Sequence, residues 1–155
     1  MGHGKVMNPI RVPASVNSLG QVADYVRKLG QLGNLRDDAS YRLHLAADEI
    51  VTNIIMHGFR EGPGEIEIRG GVTDAQVWLR IVDDAPPFDP RTINHEPRPA
   101  TIPPAERKLG GLGIFLAFTA VDDFEYESKD GLNINTLKML RFRVGRCDKW
   151  DTASV

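Results

Sequence analysis

Apolar residues recur at helical spacing early in the chain. Leu19, Val22, Val26 and Leu29 fall three or four positions apart, with Ser15 or Ser18 available as N-cap and Gly30 and Gly33 as stops, which predicts an amphipathic helix. A second helix is predicted from Asp37 or Asp38 to about His57, where Leu43, Ala47, Ile50 and Ile54 form the stripe and Gly58 the break. After the turn EGPG the period drops to two: EIEIRG (65–70) and QVWLRIV (76–82) alternate in polarity and predict an antiparallel hairpin. Residues 10–12, flanked by Pro9 and Pro13, suit an edge or terminal strand, because proline cannot donate to a ladder. The proline-rich stretch 84–109 has neither period and predicts a long irregular loop of the kind that is usually either functional or disordered. A short helix at 114–121 entered through GGLG, a strand at 124–128, a Lys-Asp-Gly turn and a strand around 135–144 follow.

This order predicts an α+β fold, a two-layer sandwich with helices covering one face of a mixed, mostly antiparallel sheet. Residues 1–145 are expected to form a single domain and 146–155 a frayed tail.

Charge narrows the function. Lys plus Arg total 19 against 21 Asp plus Glu, a net charge of -2, so no bulk field draws the chain to nucleic acid or to an anionic membrane. The one cysteine, Cys147, can form neither an internal disulfide nor a multi-thiolate metal site and fits a reducing compartment. The longest apolar run, 112–121, is half of the roughly 20 residues a membrane span needs. No signal-peptide pattern opens the sequence, and a cytoplasmic location is expected.

Three stretches hold candidate chemistry. In ADEIVTNIIMHG, Glu49 and Asn53 lie four apart and share a helix face beside the apolar stripe, with His57 a turn further on. At the border of a core a carboxylate suits a base or a metal contact, and an amide suits an oxygen ligand for Mg²⁺; the same pair also suits the solvated edge of a helix. His57 in the last turn suits a structural role against the helix dipole. In IVDDAPPFDP, Asp83 ends an apolar strand, where its carboxylate can reach a pocket and accept from an exocyclic amine; Asp84 and Asp89 read as turn formers. In KLGGLGIFLAF, Gly110, Gly111 and Gly113 precede a helix, so backbone N–H groups and the helix dipole can cradle a phosphate. A glycine-rich hinge has the same composition.

Taken together, Glu-x-x-x-Asn on a helix, Asp at a strand exit, a long loop, Gly-x-Gly at a helix start and a strand with Thr136 resemble the GHKL ATP-binding fold of histidine kinases, gyrases and chaperones. EIVTNIIMHGF, DDAPPFDP and GGLGIFLAFTAVDDFEY look more closely like the RsbW-type anti-sigma factor serine/threonine kinases. The resemblance implies ATP and Mg²⁺ as cofactors. Asn53 would hold the metal, Glu49 would act as base, and Asp83 would bind the adenine amine. Gly110, Gly111 and Gly113 would line the phosphates, Thr136 would assist at adenine through water, and 84–109 would be the lid. The implied partners are an anti-sigma antagonist protein, as phosphorylation substrate, and a sigma factor; dimerisation is implied by the resemblance alone. One departure stands out: where such proteins commonly show Asp-x-Gly, this chain has Asp83-Asp84-Ala85, and alanine is less tolerant of unusual dihedrals. An alternative reading is a nucleotide-gated binding module without kinase activity.

Overall fold

The computed structural model describes residues 4–92 and 117–141. Two short strands, β1 (Lys5–Val6) and β2 (Ile10–Pro13), lead through a 3₁₀ turn at Val16–Ser18 into helices α1 (Leu19–Leu32) and α2 (Asp37–Asn53). The hairpin β3 (Glu65–Val72) and β4 (Gln76–Asp83) follows, then a 3₁₀ turn at Pro90–Thr92, a helical segment at 117–120, and the hairpin β5 (Asp123–Lys129) and β6 (Leu132–Leu140).

Among the described residues every strand pairing is antiparallel. The sheet runs β1-β3-β4-β6-β5, with β2 also paired to β3. Both N-terminal strands lie on one edge of β3, in keeping with the flanking prolines, and are joined through Met7, whose N–H donates to the Gly70 carbonyl.

Alternation fixes which face is buried. On β4, Val77, Leu79, Ile81 and Asp83 point to the helices, and their partners on β6 are Met139, Leu137, Asn135 and Asn133. Against them α1 packs Val22, Val26 and Leu29, and α2 packs Leu43, Ala47, Ile50 and Val51. Three polar residues thus stand at one end of an otherwise apolar face.

Local details depart from the expected boundaries. Ser15 caps the 3₁₀ turn by accepting from the Asn17 N–H (3.3 Å), while Ser18 donates to the Pro13 carbonyl (2.7 Å) instead of capping α1. Gly30 is not a stop; it lies inside α1 where a Cβ would come within 2.6 Å of Ser40 Oγ, so it sets the close approach of the two helices. The last turn of the second helical stretch widens into a π turn over Ile54–Gly58. Strand β6 starts earlier and ends earlier than expected. Its start is set by the two-residue turn Asp130-Gly131, both at positive φ, which places Leu132 opposite Lys129.

Candidate functional site

Asp83 closes β4 on the helix-facing side and is only 3% exposed. Its Oδ1 accepts from the Ala85 N–H at 3.0 Å and from Asn133 Nδ2 at 2.9 Å. Burial pushes its carboxyl above the ordinary range and Asp84 adds to this, although the bonds from Asn133 and Ala85 act the other way.

Asn133 is the hub of the local network. Besides Asp83, its amide donates to the Ala85 carbonyl (3.0 Å), and its Oδ1 accepts from the Phe88 N–H (3.2 Å) and the Tyr126 hydroxyl. Such a side chain uses its whole hydrogen-bonding capacity. Nothing in the sequence motifs singled it out.

Asp83 and Asn133 line a pocket with Ile50, Asn53, Ile54 and Gly58 from the second helical stretch, Ala85, Pro86, Phe88 and Pro90 from the following loop, and Asn135 from β6. Three side-chain oxygens there are buried without a hydrogen-bond partner among the described residues: Asn53 Oδ1, Asp83 Oδ2 and Asn135 Oδ1. An unpaired buried acceptor costs about 1–3 kcal/mol. Three residues with such acceptors line one apolar pocket. Its composition suits a flat apolar ring bearing an amine, and the amide oxygen of Asn53 suits a hard cation.

Glu49 stands one turn before Asn53 on α2, half-buried and outside the pocket's lining. Burial, and secondly its neighbour Asp48, raise its carboxyl above the ordinary 4.5. His57 does not continue their row; the π turn swings it to an exposed position.

Thr136 does not join the site. Register places it opposite Arg80, whose Nε donates to its hydroxyl at 3.4 Å, on the sheet face turned away from the helices and from Asp83. A strand alternates its side chains, so the pocket is reached from β6 by Asn133 and Asn135 instead. Leu137 and Met139 share their parity and Lys138 shares that of Thr136, a signal present in the sequence.

The alanine of Asp83-Asp84-Ala85 is accommodated without backbone strain. Ala85 has no positive φ. It is buried against Gly58, where a Cβ would stand 3.1 Å from the Ala85 methyl. Asp89 behaves as a turn former: its Oδ1 accepts from the Arg91 N–H (2.9 Å), and the Arg91 guanidinium grips both its oxygens and holds its carboxyl below the ordinary range. Gly110, Gly111, Gly113 and the loop from 93 onward lie outside the described residues. Among the described residues no cluster of His, Cys, Asp and Glu could hold a metal ion, and no helix is long and apolar enough to cross a membrane.

The sequence profile of the histidine kinase-like ATPase domain matches residues 12–140. The chain belongs to the histidine kinase-like ATPase (GHKL) family. The serine-protein kinase RsbW of Listeria innocua serovar 6a is 26% identical over 141 residues, covering 89% of this chain and 88% of that protein. Another RsbW, from Bacillus thuringiensis strain Al Hakam, is 27% identical over 101 residues, 64% of this chain and 63% of that one. The crystal structure of the RsbU and RsbW domains of Rv1364c from Mycobacterium tuberculosis shares the fold with a TM-score of 0.58 at 16% identity; the match covers 86% of this chain and 33% of that one. The GHKL family and its α+β architecture, expected from the motif order, are thereby established, and relatives named as serine kinases stand beside the chain over most of its length.

Proposed function

We propose that this chain is an ATP-dependent protein serine/threonine kinase of the anti-sigma type. It would work in the cytoplasm within a single domain, 1–145, phosphorylating an anti-sigma antagonist and thereby controlling a sigma factor and its transcription. The observation that carries the reading is that Asn53, Asp83 and Asn135, each with a buried side-chain oxygen that has no partner among the described residues, line one apolar pocket. An adenine ring with its amine on Asp83 satisfies the most costly of the three. Asn53 would hold Mg²⁺, which supplies charge neutralisation on the phosphates when bound.

Within that frame the side chains have separable tasks. Asp83, held by Asn133 and Ala85, binds and orients the base. Glu49, whose raised carboxyl makes it a better proton acceptor than a free glutamate, would take the proton of the incoming serine or threonine hydroxyl as its oxygen attacks the γ-phosphorus and ADP departs. Gly110, Gly111 and Gly113 would receive the phosphates on their amides, with 84–109 closing over them as a lid. The test is phosphoryl transfer from ATP to the antagonist protein with Mg²⁺. The kinase reading expects phosphoserine or phosphothreonine on the antagonist; nucleotide-dependent association without transfer identifies the binding-module alternative.

A further inference from the structure

A carboxylate with both oxygens free is a two-pronged acceptor. It pairs best with a base edge carrying two adjacent donors, such as the ring N–H and exocyclic amine of guanine, whereas adenine offers it a single amine. Asp83 is not such a fork. Its Oδ1 is taken by two donors, the Asn133 amide at 2.9 Å and the Ala85 N–H at 3.0 Å. Only Oδ2 is left, buried and without a partner among the described residues.

Building on the nucleotide reading above, we infer that Asn133 sets base selectivity: by occupying Oδ1 it leaves Asp83 one acceptor, which adenine satisfies and the double donor edge of guanine does not. Guanine in the adenine pose brings its carbonyl oxygen against Asp83 Oδ2, two acceptors face to face. The turned pose that would offer two donors needs Oδ1 as well as Oδ2, and Asn133 closes it. Rejection through unpaired polar groups in a buried site discriminates strongly.

Asn133 cannot easily rotate away. Its second amide hydrogen is held by the Ala85 carbonyl (3.0 Å), and its Oδ1 by the Phe88 N–H (3.2 Å) and the Tyr126 hydroxyl. Asn135, the other β6 amide in the pocket, faces Ile81 across the ladder and is not part of this fork. Asn133 is therefore a positioning residue for base choice.

The experiment is equilibrium titration of the full chain with ATP and with GTP, each with Mg²⁺, for the wild type, Asn133→Ala and Asn133→Ser, whose short side chains both uncover Asp83 Oδ1, with melting curves to show which variants fold. The wild type is expected to prefer ATP. In a folded variant the ATP-to-GTP affinity ratio should fall by at least about tenfold, equivalent to about 1.4 kcal/mol. An unchanged ratio in either folded variant overturns the role of Asn133, as does a wild type that binds both nucleotides equally. A wild type that binds neither overturns the nucleotide reading itself.

Discussion

Asn133 and Asp83 face each other across the β4–β6 ladder, and the amide of the first donates to Oδ1 of the second at 2.9 Å. The two belong to different hairpins, so the site exists only once β6 has docked beside β4. The other oxygen, Oδ2, is buried without a partner among the described residues, and an acceptor left so costs about 1–3 kcal/mol.

Replacing Asp83 with asparagine should therefore separate binding from stability. Nucleotide affinity is expected to fall at least about tenfold, the equivalent of roughly 1.4 kcal/mol. The free protein should melt higher at neutral pH. The sign follows from the raised carboxyl: the folded state holds the proton more tightly than the unfolded one, so the contribution of Asp83 to stability is present at low pH and lost as pH rises through its folded pKa. The advantage of Asp83→Asn should shrink as pH falls toward the ordinary value of 3.8. Calorimetry and melting curves across pH check both, and unaltered affinity removes Asp83 from the site.

Glu49→Gln should keep nucleotide binding and lose about 10²- to 10⁴-fold in transfer, the usual worth of a general base. Because the base must be ionised, the acid limb of the rate profile should lie above the ordinary glutamate value of 4.5. Asp48 is the secondary cause of the raised carboxyl, so Asp48→Asn should move that limb to lower pH. A limb that does not respond contradicts the assignment.

The two helices, the 65–83 hairpin and the strand-end position of Asp83 were legible because each follows from local periodicity. Which side of the sheet each β6 residue turns to was not legible, for a physical reason. A strand shifted by one residue turns every side chain to the other face, and NINTLKML offers polar residues at both parities. The turn at Asp130-Gly131 and the buried pair Leu137 and Met139 decide it, bringing Asn133 and Asn135 to the pocket and taking Thr136 away. The π turn after Asn53 was also hidden. It depends on bonds such as the Phe59 N–H to the Ile54 carbonyl (2.9 Å), for which the sequence has no marker.

Asn53→Leu should fold, since Ile50 and Ile54 line the same pocket, and it removes a buried oxygen that has no partner among the described residues. Nucleotide binding is expected to lose its dependence on Mg²⁺ while some affinity for the base survives. Titration with and without the metal reads this directly, and a magnesium effect equal to that of the wild type contradicts the role given to Asn53.

Gly58 and Ala85 should prove energetically coupled. A methyl added at Gly58 meets the Ala85 Cβ at 3.1 Å, where the neighbour must give by a few tenths of an ångström, so Gly58→Ala is expected to cost stability by crowding. In an Ala85→Gly background the cost should be smaller by about 0.5 kcal/mol or more. Denaturant unfolding of the four proteins of the cycle measures the coupling; strict additivity would show that the two residues do not share the space.

The most direct test of the account is calorimetric titration of the wild type and Asp83→Asn with ATP, each with and without Mg²⁺. The expected result is saturable binding by the wild type that strengthens with Mg²⁺ and is weakened at least about tenfold in Asp83→Asn. Absence of binding in the wild type, or binding indifferent to both Mg²⁺ and Asp83, would contradict the assignment of this pocket as a nucleotide site.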